Sequence, residues 1–340
     1  MDQIAPRVTR AAIWTGDTMT VRDVPVPLLA PGEVLVRVGL ATVCGSDLHT
    51  VSGRRPGACP SILGHEAVGH VIAVGGDAAG ESVTVGERIV WSVTVACGHC
   101  PRCRVGFTAK CTNVRKTGHE AFEGDWALSG SYAEHIILPP GTTIVPVPPH
   151  LPDAVAAPAA CATATVMAAL DAAGDVTGRR VLICGAGMLG VTAAAACAEA
   201  GAHVRITDIN PQRLTLAHRF GAKDDDGTDV DVAVDFSGSA DAVAGALGRL
   251  GIGGRLVLAG SVSPGPAIAV DPEAVVRRWL TITGVHNYEP RHLTHAVAFL
   301  TRTSEQFPWE DLVAEPVPLD DIATVMAPPP PNILRASIAP

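Results

Sequence analysis

The chain has 340 residues, with 25 Lys and Arg against 34 Asp and Glu, nine cysteines and only 17% charged residues. That length implies about two domains and ample chain for a sizeable core. A net charge of −9, with no dense Lys/Arg run, excludes a surface built to neutralise nucleic-acid phosphates. Residues 1–10 lack the apolar segment of a secretory signal, so the cysteines predict reduced thiols in a cytoplasmic protein rather than a disulfide framework.

Residues 1–150 predict short strands broken by Pro and Gly turns, with strands at 34–38 and 66–74. Within this stretch Cys97, Cys100, Cys103 and Cys111 are spaced C-x2-C-x2-C-x7-C. Thiolates this close on one loop converge on one ion, and four of them close a tetrahedral zinc site with no open position. Gly98, Pro101 and Gly106 supply the turns such a loop needs. Spacing alone leaves an iron–sulfur cluster or an oxidised knot open. A closed all-thiolate site is structural, so any chemistry must come from elsewhere.

Residues 151–290 change texture, alternating apolar strands with Ala-rich helices. Strands are expected at 181–184, 204–207, 231–236 and 255–259, and helices at 188–200 and 211–220. This alternation predicts an α/β fold with a doubly wound parallel sheet. The apolar run 181–201 is long enough for a membrane span, but early glycines and small residues predict a buried strand and helix instead. Gly185-Ala186-Gly187-Met188-Leu189-Gly190 joins that strand to that helix as G-x-G-x-x-G. In this context the motif predicts a dinucleotide site, with the pyrophosphate at the helix N-terminus. Asp208 ends the next strand, where a carboxylate accepts from ribose hydroxyls and favours NAD over NADP; a helix cap is its alternative role. Arg213 keeps NADP open, because a guanidinium can meet a 2′-phosphate. A Pro run at 328–331 predicts a surface turn, and 334–338 a last strand. No internal repeat is present.

Three more segments complete an ordered set. Cys44-Gly45-Ser46-Asp47-Leu48-His49 begins 21 residues before His65. Gly64-His65-Glu66 is followed by Gly69, Gly75 and Ala78, and Gly130-Ser131-Tyr132-Ala133-Glu134 precedes the glycine loop. With the four-cysteine loop and the nucleotide fingerprint, this set resembles the zinc-containing medium-chain alcohol dehydrogenases over nearly the whole chain. The resemblance implies a GroES-like β-rich catalytic domain over 1–150, a Rossmann NAD-binding domain over 151–290, and a return segment, 291–340, completing the first. It implies reversible oxidation of a small alcohol to an aldehyde or ketone, with hydride passing to NAD.

The resemblance also assigns residues. Two zinc ions are expected, one structural at the four cysteines and one catalytic at Cys44, His65 and Cys161, whose fourth position stays open. From the residues alone Cys161, among alanines, reads as a small core cysteine. Glu66 corresponds to the family's neighbour of the metal, and Asp47 to the group that orients His65. Zinc makes the bound alcohol acidic. Ser46 then receives the proton, and His49 passes it to solvent through the cofactor ribose.

In the family the segments after His49 and after the zinc loop line the substrate cleft. Here they hold Arg54 and Arg55, then Lys116 and His119, which predicts an anionic alcohol; solvated surface arginines are the alternative. Trp91 is expected as an apolar wall, with strand packing its alternative. The CGSDLHTVSGRRP, GHE and AACATATVMAAL segments also look like a subgroup proposed to act in phosphonate metabolism. Competing readings are an NADP-linked aldehyde reductase, a polyol dehydrogenase, and an inactive dinucleotide-binding zinc protein. The expected partners are a small-molecule substrate and further copies of the chain, as dimer or tetramer through strands 255–259 and 280–285, with neither nucleic acid nor membrane.

Overall fold

The computed structural model describes residues 6–76 and 83–340; Ala78 of the signature lies outside them. The chain divides into two compact units. Met1–Cys161, Glu289–Ser304 and Trp309–Pro340 form the first; Ala162–Tyr288 and Glu305–Pro308 form the second.

The first unit opens with β1 (Val8–Trp14), β2 (Met19–Pro25), β3 (Val34–Thr42), β4 (Ser61–Ile62) and β5 (Glu66–Val74). It continues with β6 (Arg88–Val95), β7 (Arg115–Lys116), β8 (His135–Leu138) and β9 (Thr142–Pro146). β1 pairs antiparallel with both β2 and β4. β3 pairs antiparallel with β5 and β8, and β5 continues the sheet into β6. Along β3, Arg37 and Gly39 face outward between buried Val36, Val38 and Leu40, the alternation of a half-buried strand. Register shifts at Leu35/Val36 and Val38/Leu40 bend the β3–β5 ladder. Ile13, Leu35, Ile89, Trp91 and Ile136 fill the core.

The second unit is a six-stranded parallel sheet. Its strands are β10 (Arg180–Cys184), β11 (His203–Thr207), β12 (Lys223–Asp224), β13 (Val230–Asp235), β14 (Leu250–Leu258) and β15 (Thr281–Gly284). They lie in the order β12-β11-β10-β13-β14-β15, the Rossmann order. β10 and β13 are buried along almost their whole length, which is why both read as continuous apolar runs. The apolar run 181–201 resolves into β10 and the helix Met188–Glu199. Among the described residues no single helix is long and apolar enough to cross a membrane. Cys184 and Cys197 are buried there, and burial pushes both thiols up to about 12, leaving inert core cysteines.

The chain returns to the first unit through the helix Pro290–Thr303, which turns Leu293, Ala296, Val297 and Leu300 inward. β16 (Val317–Pro318) and β17 (Ser337–Ala339) then extend the sheet of β3. The last strand thus starts at Ser337, three residues later than the pattern suggests, because the Leu334 and Arg335 backbones bond to Leu312 and Ala314 in an isolated bridge instead.

Candidate active site and metal centres

The Sγ atoms of Cys97, Cys100, Cys103 and Cys111 lie within 4.8 Å of one another. Cys100 Sγ is 3.5 Å from Cys103 Sγ and 3.9 Å from Cys111 Sγ, near the spacing of about 3.8 Å around one tetrahedral zinc. All four are free thiols, so an oxidised knot is excluded. The sulfurs are also closer together than an iron–sulfur cluster would hold them. Backbone N–H groups of Cys97, Cys103 and Asn113 point at these sulfurs at 3.3–3.4 Å. Such donors, beginning with the Thr112 backbone, hold the Cys100 thiol down at about 5.

A second cluster joins Cys44, His65 and Cys161, whose ligand atoms also lie within 4.8 Å of one another. Cys44 precedes the helix Gly45–Val51, where Asp47 Oδ2 accepts from the Cys44 N–H at 3.0 Å and caps the first turn. His65 stands at the entrance to β5, and Cys161 follows the 3-10 turn Ala157–Ala160. Two sulfurs and one imidazole fit a zinc with one open position. The Cys161 hydrogen bond, then Arg335 and His65, pull the Cys44 thiol well down against burial. The donor chemistry of two sulfurs and an imidazole thus favours a cation here.

The surrounding groups fix this cluster. Ser46 Oγ lies 3.2 Å from His65 Nε2, and Asp47 Oδ1 faces His65 Nδ1 at 3.4 Å. Tyr132 donates its hydroxyl to Asp47 Oδ2 at 2.9 Å. Burial and then the Asp47 charge push the Tyr132 phenol well up, so it stays the donor. Glu66 is fully buried and bound by Arg335 through two bonds, at 2.7 and 3.0 Å. Thr42 Oγ1 donates a third at 2.8 Å. Burial still raises the Glu66 carboxyl, with Arg335 opposing it. Arg335 is absent from the sequence reading. Its one signal is a lone charge in the mostly apolar run Ile333 to Ile338, since a buried guanidinium needs a partner.

On the substrate side the structure sorts the expected residues. The His119 ring packs at a tilt against the His65 ring, 5.0 Å between centroids. Its Nδ1 donates to the Thr117 carbonyl at 2.8 Å, which leaves Nε2 as an acceptor. Burial and then His65 pull His119 down to about 4, so it is a neutral imidazole and not one of the expected cations. Lys116 is half-buried; burial first, then Arg55 and Lys110, lower it, while the Cys161 side chain pulls the other way. Arg55, Lys116 and the metal cluster therefore share one electrostatic neighbourhood. Among the described residues no carboxylate pairs with the Arg55 or Lys116 side chain. Arg54 is exposed, and no contact brings it to the cluster. Trp91 is wholly buried in the core of the first unit, the strand packing given as its alternative. His49 lies on the same helix as Ser46, three residues on, and so on the same face.

In the second unit the glycine loop closes β10 onto the helix Met188–Glu199. Gly185 has φ +98, and a Cβ at Gly190 would meet the Gly185 carbonyl oxygen at 1.8 Å, so neither position tolerates a side chain. A Cβ at Gly187 would meet nothing within 4 Å, which leaves its backbone open to a ligand. Met188 and Leu189 form the first turn of the helix, where N–H groups are unsatisfied. Asp208, at the end of β11, accepts from Ala186 N at 2.7 Å and Asn210 N at 2.8 Å. The helix after it is capped by Asn210, so Asp208 buttresses the glycine loop and is not a helix cap. Arg213 is half-buried, with Nε enclosed and unpartnered among the described residues.

The family model for the alcohol dehydrogenase GroES-like domain matches residues 30–149, and that for the alanine dehydrogenase/PNT C-terminal domain matches 154–244. The chain is similar to the L-threonine 3-dehydrogenase of Deinococcus deserti, at 32% identity over 328 residues, 89% of each chain. It is also similar to that of Edwardsiella ictaluri, at 30% over 305 residues, 83% of this chain and 84% of that one. An alcohol dehydrogenase from Thermotoga maritima superposes with a TM-score of 0.89 at 25% identity, covering 98% of this chain and 99% of that one.

Proposed function

The chain belongs to the zinc-containing medium-chain alcohol dehydrogenase family, and on that premise we propose that it oxidises a small alcohol bearing an anionic group, using NAD. The convergence of Cys44, His65 and Cys161 within 4.8 Å carries the reading. A zinc held by these three side chains supplies Lewis acidity to the substrate oxygen, as NAD supplies the hydride acceptor. A second zinc, held by the four-cysteine loop, keeps that loop folded.

The chain's own groups do the rest. Ser46 Oγ, beside His65 Nε2, accepts the hydroxyl proton as the C–H bond gives up its hydride. His49, one turn along the same helix, passes that proton towards solvent. Asp47 holds the His65 ring in place. Arg335 neutralises Glu66 beside the metal ligands. Arg55 and Lys116, cations with no carboxylate partner among the described residues, bind the anionic group of the substrate. His119 offers an uncharged acceptor beside them. L-Threonine, the substrate named for the relatives above, is such a molecule: a secondary alcohol with a carboxylate. A hydroxyalkyl phosphonate has the same layout. The glycine loop receives the pyrophosphate and Asp208 the adenosine ribose. NADP is a second reading, favoured by the unpartnered Nε of Arg213.

Initial rates with L-threonine, hydroxyalkyl phosphonates, polyols and neutral alcohols, each with NAD and with NADP, test the proposal. Arg55→Ala is expected to lower kcat/KM for the anionic alcohol by about 10- to 100-fold, the worth of a charge-assisted hydrogen bond, and to spare its neutral isostere. Equal losses for both substrates would remove the anion from the account.

A further inference from the structure

We propose that Tyr132 is a positioning residue of the metal centre, acting through Asp47 on His65. The proposal rests on the reading that Cys44, His65 and Cys161 hold a metal. Tyr132 is fully buried, and its hydroxyl has two acceptors in reach. The Thr42 carbonyl lies 3.4 Å away, whereas Asp47 Oδ2 lies at 2.9 Å, so the stronger bond goes to the carboxylate.

That choice divides the work of the two carboxylate oxygens. Oδ2 accepts from both Tyr132 Oη and the Cys44 N–H, and Oδ1 is left facing His65 Nδ1. An Asp χ2 torsion has broad wells and does not fix the carboxylate plane by itself. Hydrogen bonds must fix it, and Tyr132 supplies one of the two on Oδ2. Without that hydroxyl the plane is held only at the Cys44 backbone, and Oδ1 is free to swing from the imidazole.

The same residue also sets the backbone that delivers His65. Tyr132 N donates to the Leu63 carbonyl at 3.1 Å, and Ser131 N to the Gly64 carbonyl at 3.0 Å. The Tyr132 ring occupies the space a side chain at Gly64 would need, 2.6 Å from its ideal Cβ. One tyrosine therefore holds the approach to the ligand and the carboxylate that orients it. A metal-bound imidazole keeps its tautomer and donor strength through the partner on its other nitrogen, and losing that partner weakens metal binding by about 10- to 100-fold.

The test compares Tyr132→Phe, Asp47→Asn and the double variant, measuring zinc release to a chromogenic chelator. The four-cysteine site is an internal reference in every protein. Tyr132→Phe keeps the buried ring and is expected to release zinc from the Cys44–His65–Cys161 site about tenfold faster, with release from the four cysteines unchanged. In the Asp47→Asn background the same change is expected to add little, because the route runs through Asp47. No acceleration, an equal acceleration in both backgrounds, or equal acceleration at both metal sites overturns the proposal. A wild-type protein that releases zinc from the four cysteines alone overturns the metal reading beneath it, and is told apart by its single phase.

Discussion

Arg335→Met removes the guanidinium from Glu66 and leaves a side chain of similar length. Glu66 has no exposed surface and Arg335 is 6% exposed, so solvent does not screen the pair. Breaking a buried pair by deleting one partner costs about 3–5 kcal/mol. Thr42 Oγ1 still donates to Glu66 Oε2 in the variant, which places the expected loss at the lower end, about 3 kcal/mol. The loss depends on pH, with a definite sign. Burial already raises Glu66 above its ordinary 4.5 while Arg335 opposes it, so deleting Arg335 raises it further. Above 4.5 the folded variant then holds a proton that the unfolded chain has released, and stability falls as pH rises through that window. Urea unfolding of metal-saturated wild type and variant at pH 5 and pH 8 gives the difference directly. The deficit is expected to be larger at pH 8. Glu66→Gln combined with Arg335→Met is expected to recover part of it, because no buried charge remains. A deficit under about 1 kcal/mol at pH 8, or one that does not change with pH, would show that the pair is not the buried charge couple described.

Two further outcomes concern the dinucleotide unit. Gly190→Ala places a methyl 1.8 Å from the Gly185 carbonyl oxygen and is expected to destabilise the protein by about 1–3 kcal/mol and abolish tight NADH binding; an unchanged Kd in a fluorescence titration contradicts the close packing. Asp208→Ser removes the carboxylate at the end of β11 and is expected to lower kcat/KM for NAD about tenfold while raising the relative rate with NADP. An unchanged NAD-to-NADP ratio would place the ribose elsewhere.

The four-cysteine loop and the glycine loop were legible because their chemistry is local, whereas Cys161 joined Cys44 and His65 only through the family resemblance. Four cysteines within fifteen residues announce one ion, and a glycine motif between an apolar strand and helix announces a phosphate site. What stayed hidden depends on distance along the chain. Arg335 meets Glu66 across 269 residues, and Tyr132 meets Asp47 across 85. No spacing rule reaches that far. Trp91 stays ambiguous in the sequence for a different reason. β6 is buried continuously from Ile89 to Val95, so it lacks the period-two alternation that separates a wall from a core residue. His119 was counted as a basic residue, but burial beside His65 makes it neutral, a property of its surroundings and not of its letter. Arg54 and Arg55 are adjacent and alike in sequence; only the turn after the helix Gly45–Val51 leaves one exposed and the other half-buried.

Metal content measured alongside turnover, in wild type and in Cys161→Ala, bears most heavily on the proposed chemistry. The proposed function predicts two zinc ions per wild-type chain, one for each cluster that could hold a metal, with NAD-linked oxidation of an anionic alcohol. It predicts one zinc in Cys161→Ala, retained by the four cysteines, and no turnover. A Cys161→Ala protein that keeps both zinc ions, or that turns over at the wild-type rate, would contradict it.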